Sequence, residues 1–61
     1  MTRIQSETKA LRTYIALQDN TARYLRDEIT HAAFHREQIR LWDAVDHATA
    51  AKVQQLLRRA S

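Results

Sequence analysis

The chain has 61 residues, with ten Lys and Arg against seven Asp and Glu for a formal charge of +3, and it contains no Gly, Pro or Cys. Those absences exclude glycine-built phosphate loops, the GxGxxG dinucleotide turn, the EF-hand turn and the GxSxG nucleophile elbow. They also exclude disulfides, thiolate metal sites and a cysteine nucleophile.

A chain below roughly 70–80 residues seldom buries enough core to stand without a staple. With disulfides excluded, self-association is the expectation. The apolar share of 44% is too high for a disordered tail. The longest apolar run, Tyr14-Ile15-Ala16-Leu17, is far short of a membrane span. Residues Met1 to Glu7 have no apolar signal-peptide core, so a cytoplasmic location is expected by default, with no membrane partner. The positive surplus is spread along the chain without a basic tail or a run of like charge. Arg outnumbers Lys eight to two, which suits phosphate contacts and equally suits a GC-rich genome.

Helix is the expectation throughout, because Ala, Leu, Arg, Gln and Glu are frequent and the helix breakers are missing. Thr2-Arg3-Ile4-Gln5 fits a capping box, which places a helix start within the first few residues. Stepping about 100° per residue, Ile4, Leu11, Tyr14, Ile15, Ala22, Leu25, Ile29 and Ala32 fall on one stripe with a coiled-coil rhythm. Gln18 lies on that stripe between Ile15 and Ala22, either as a buried amide that fixes register or as an edge residue. Glu7 intrudes near its end. Leu17 and Tyr24 lie on a flank and, with Trp42, define a second apolar surface, used either within the bundle or for a protein partner. Lys9, Arg12 and Arg23 form a basic row moderated by Asp19 and Asp27.

The first helix is expected over about 3–29, followed by a turn at about 29–33. Thr30 is a fitting N-cap, and Ile29 with Phe34 matches a hydrophobic staple across it. Asp19-Asn20-Thr21 is a competing turn signal, opposed by the in-phase stripe and by the acid-first pair Asp19 and Arg23. A kink at Asp43–Asp46 is a third alternative.

The second helix is expected over about 32–59, with Arg58 and Arg59 suited to its C-terminus. Its apolar residues Phe34, Leu41, Trp42, Val45, Val53, Leu56 and Ala60 centre on a face turned roughly 160–200° from the first stripe. A break between the two halves lets each face the other. The expected fold is therefore all-α: one two-helix antiparallel hairpin over residues 1–61, dimerising into a four-helix bundle. Self-association would run through Ile4, Leu11, Ile15, Leu25, Ile29, Phe34, Leu41, Val45, Val53 and Leu56. The alternative is one long helix in a coiled coil.

Arg36, Arg40, His47 and Arg58 line the polar face of the second helix, with Asp43 among them. Such a row contacts phosphates, or is a solvated face laced with ion pairs. Glu28, His31 and His35 repeat the Glu-x-x-His step and the i,i+4 His pair of metal-binding helices. The acids a dinuclear site needs are lacking on that face, and the expectation is no metal and no cofactor. Ser6 and Ser61 have no motif-placed base, and Asp43, Asp46 and His47 splay apart on a helix. No catalytic residue and no small-molecule substrate is expected.

These readings favour a small non-enzymatic helical interaction protein that forms a homodimer and binds a protein partner as adaptor, inhibitor or chaperone. Leu17, Tyr24 and Trp42 are its candidate docking residues. One alternative is an RNA- or DNA-binding regulator using the arginine rows. Another is a structural subunit of a larger helical assembly.

Overall fold

The computed structural model describes the backbone of residues 3–60 and the side chains of residues 8–60. It contains three helices: α1 over Arg3–Leu25, α2 over His31–Asp43 and α3 over His47–Ala60. There is no strand among the described residues, so the all-helical reading holds. The expected two-helix hairpin does not, because its second arm is two helices. The proposed cap at Thr2 and the side chains of Ile4, Gln5 and Glu7 lie outside the described residues.

The first turn comes earlier than the expected 29–33. Asp27 adopts φ 61°, its N–H donates to the Tyr24 carbonyl at 3.0 Å, and the Glu28 N–H donates to the Arg23 carbonyl at 2.9 Å. This pair of bonds is a Schellman ending, which most often carries glycine at the left-handed position. Asp is among the few other residues that visit that region readily. Thr30 then opens α2 as its spacing foretells. Its backbone is extended, and its hydroxyl accepts the Ala33 N–H at 3.1 Å. The Asp19-Asn20-Thr21 signal is not a turn; α1 runs through it without interruption.

The second arm breaks at 44–46, where the Asp43–Asp46 kink stood as an alternative. Ala44 closes α2, with its N–H bonded to the Arg40 carbonyl at 3.1 Å. The Asp46 carboxylate then accepts the Thr49 N–H at 2.8 Å and caps α3. That bond, with a further one from the Thr49 side chain, holds the Asp46 carboxyl below the usual carboxylate range. A capped start satisfies backbone donors that a continuous helix would have paired internally, so the break carries little hydrogen-bonding cost.

Both short helices pack on α1. Among the described residues the buried core is small: Ala10 and Leu17 from α1 and Val53 from α3, with Tyr14, Leu41, Trp42 and Leu57 packed around them. Asn20 and Thr49 are the buried polar residues among those described. The Asn20 amide donates to the Phe34 carbonyl and to Gln38 Oε1, both at 3.0 Å, and so ties α1 to α2. The molecule is flat, with extents of 38 × 22 × 14 Å.

The face of α1 that goes inside is not the expected stripe. Leu11, Ile15 and Leu25 remain 49%, 56% and 74% exposed, whereas Leu17 is 3% exposed. The buried face lies roughly 100° around the helix from the stripe. The reason is a second series at the same spacing: Ala10, Tyr14, Leu17, Thr21 and Tyr24 repeat the four-three rhythm one residue earlier. That series has Asn20 beside it to bond α2, and it is the one against which α2 and α3 close.

Candidate interaction surface

The ten residues expected to drive self-association separate into distinct environments. Leu11, Ile15 and Leu25 stand exposed on the outer face of α1. Ile29, Phe34, Leu41, Val45 and Leu56 are half-buried within the chain. Val53 is fully buried, so it is a core residue of the single chain and not a seam residue. Ile4 lies outside the described side chains.

The three candidate docking residues are drawn inward. Leu17 is buried in the core, which removes it as a contact for another protein. Trp42 is half-buried against the same core. Tyr24 is half-buried and stacks on Phe34, with ring centroids 4.6 Å apart and planes at 20°. The flank formed by Leu17, Tyr24 and Trp42 is thus used within the fold. Sequence reasoning missed Ile39, which is 53% exposed on α2. The available signal was its position as a lone apolar residue off the face shared by Phe34, Leu41 and Val45.

The arginine row of the second arm is divided by the break at 44–46. Arg36 and Arg40 belong to α2, whereas His47 and Arg58 belong to α3. Arg40 grips Glu37 through two bonds, Nε to Oε1 at 2.6 Å and Nη2 to Oε2 at 2.5 Å. This fork holds the Glu37 carboxyl below its ordinary range. On α1, Arg23 Nε lies 3.1 Å from Asp19 Oδ2. These exposed pairs add little stability, but they reduce the net positive potential offered to phosphate.

At the junction of α1 and α2, His31 meets the edge of Tyr24 with ring centroids 5.7 Å apart and lies parallel to His35 at 6.2 Å. Glu28, the third member of the metal-like pattern, is instead hydrogen-bonded to Arg26, which holds its carboxyl below the usual range. No group of three or more His, Cys, Asp or Glu side chains is placed to hold a metal ion among the described residues. A cleft of about 260 Å³ opens between α1 and α2, lined by Ala16, Asn20, Arg23, Ala33 and Glu37 among others. Its charged rim is taken up by the Asp19–Arg23 and Glu37–Arg40 pairs, and the Asn20 amide is bonded at its floor. No helix among the described residues is long and apolar enough to cross a membrane.

No protein-family model matches the chain, and neither a curated protein nor a solved structure is detectably similar to it.

Proposed function

We propose that this chain is a small non-enzymatic helical interaction protein that self-associates and engages a protein partner, as adaptor, inhibitor or chaperone. The observation that carries the reading is the distribution of its large apolar side chains. Among the described residues, Leu11, Ile15, Leu25 and Ile39 stand exposed, while the buried apolar core consists of Ala10, Leu17 and Val53. A fold with so small a core gains stability from covering such a surface. Apolar helix faces are the contact mode that helix-to-helix recognition uses. Ile39 joins Tyr24 and Trp42 as a candidate contact for the partner, in place of Leu17.

Nucleic-acid binding ranks second, because Arg23, Arg26 and Arg40 each hold an acidic neighbour. The deciding experiment pairs sedimentation velocity with anisotropy titrations of short RNA and DNA duplexes, each at low and high salt. Self-association that persists at high salt, without nucleic-acid binding near physiological salt, supports the interaction reading. Duplex binding that survives moderate salt and is lost in Arg36→Ala/Arg40→Ala would replace it with a nucleic-acid regulator.

A further inference from the structure

We propose that the joint at 44–46 is a two-state hinge, and that α2 and α3 fuse into one helix in a dimer whose two chains exchange α3. The exchange goes beyond the self-association proposed above, because it uses contacts inside the fold and leaves the outer face of α1 as it is.

The two bends of the chain differ in how firmly the sequence imposes them. At the first, Asp27 stands at φ 61° and closes a Schellman ending. At the second, Ala44, Val45 and Asp46 separate the helices, and none of them is Gly or Pro. Ala44 stays in the right-handed helical region, with φ −77° and ψ −8°. Leu41, Val45, Thr49, Val53 and Leu56 follow one another at steps of four, four, four and three residues across the joint, so a fused helix keeps them on one face. The backbone bonds also have direct replacements. The Val45 N–H, which reaches the Trp42 carbonyl at 3.4 Å, would bond Leu41 instead, and the Thr49 N–H would exchange the Asp46 carboxylate for the Val45 carbonyl.

Fusion carries α3 off the α1 of its own chain. α2 runs along α1 from Asn20, which bonds Phe34 and Gln38, down to Lys9, whose charge acts on Asp46. A straight continuation passes the start of α1 at Arg3 and takes Thr49 and Val53 into solvent, uncovering Ala10 and Leu17. The fold itself identifies what covers that face again. In the closed chain α3 covers it, and α3 of a second opened chain presents the same side chains. Reciprocal exchange restores every contact between α1 and α3 in both chains, so opening is compensated when two copies open together. Short joints of this kind are where such exchanges arise.

Two exposed positions test the hinge without touching the core. Asp46→Ala removes the cap that stops the fused helix, once in each chain of a dimer, and is expected to strengthen dimerisation at least about tenfold. His47→Pro suits the first position of a capped α3, but in a fused helix its ring would clash with the Asp43 carbonyl, so this variant is expected to stay monomeric. Sedimentation velocity reads both, and the double variant Asp46→Ala/His47→Pro should return to monomer. Spin labels at Ala32→Cys and Arg59→Cys, both exposed positions in a chain without other cysteines, read the exchange directly once diluted into unlabelled chain. The dimer should show a separation of about 40 Å, the length of a continuous helix between them, that the monomer lacks. One distance common to monomer and dimer would overturn the exchange. A dimer of wild-type affinity in His47→Pro would overturn it too, and would leave the outer face of α1 as the route of association. So would an Asp46→Ala chain that stays monomeric at about 100 µM, beyond the micromolar end for interfaces of standard size.

Discussion

The two apolar faces of α1 differ by one residue of register and by nearly everything else. The inner series, Ala10 through Leu17 to Tyr24, meets α2 and α3. The outer series, Leu11 through Ile15 to Leu25, meets solvent in the single chain. Spacing cannot tell them apart, since both alternate four and three. Apolar content does not separate them either: the outer series carries Leu, Ile, Gln, Ala and Leu, and the inner Ala, Tyr, Leu, Thr and Tyr. What selects the inner face is a polar group. Asn20 sits on its edge and reaches the Phe34 carbonyl and Gln38, giving α2 a directional contact that the outer face lacks. Hydrophobic burial decides that a helix is covered, and a directional bond decides which side is covered first.

The sharpest way to break this comparison is to truncate one residue from each face. Leu17→Ala is expected to cost about 2–4 kcal/mol, the range for a buried leucine left as a cavity. Ile15→Ala, measured at high dilution, is expected to change stability by less than about 0.5 kcal/mol, because an exposed site away from a cap or core loses little. Chemical denaturation followed by circular dichroism reads both. Similar losses for the two would mean that the faces are not assigned as described. Asn20→Ala probes the selecting contact. It removes two donors to α2 and is expected to cost about 1–2 kcal/mol, in keeping with loss of buried hydrogen bonds.

A smaller effect of opposite sign is expected at the turn. Asp27→Gly relieves the left-handed backbone and should stabilise the chain by up to about 1 kcal/mol, partly offset by the greater freedom of glycine in the unfolded state. A loss of stability would show that the Asp27 side chain does more than tolerate the conformation. The smallest effect concerns pH. The Asp46 carboxyl is held below its unfolded value by Thr49, so its contribution is present above the ordinary aspartate range and is lost as pH falls through the lowered folded value. Asn also caps helices but does not titrate. The melting temperature of Asp46→Asn should therefore fall less steeply in acid than that of the wild type. Parallel slopes would mean that the cap does not report on the stability of the fold.

Much of this arrangement was legible in the sequence, and the misses have physical causes. Thr30 declared itself through its spacing as a cap, and the structure uses it as one. The face of Phe34, Leu41 and Trp42 was legible because the large apolar residues of α2 other than Ile39 fall on it. The end of α1 was misplaced because its signal, a glycine, is replaced by Asp27. The break at 44–46 was weighted below the helix pattern because no Pro or Gly marks it. Asp46 and Thr49 make that break through a side-chain bond that composition alone does not reveal. The inner face of α1 is legible only as a flank, through Leu17 and Tyr24, because the residue that ties it to α2, Asn20, is polar and adds nothing to an apolar period. The candidate surface shows the same exchange: of the two uses open to the flank of Leu17, Tyr24 and Trp42, the fold takes the internal one for Leu17.

The position of Trp42 gives the molecule a built-in optical division of labour. It is the single tryptophan, and it rests against the cluster where all three helices meet. Its emission therefore reports the closing of α2 and α3 on α1. The outer face of α1 carries Leu, Ile, Gln and Ala and no indole, so contact there is silent at the red edge of excitation. Folding and the proposed self-association are thus separable in one cuvette: fluorescence follows the first, and anisotropy of the same indole, through the slower tumbling of a larger particle, tests the second.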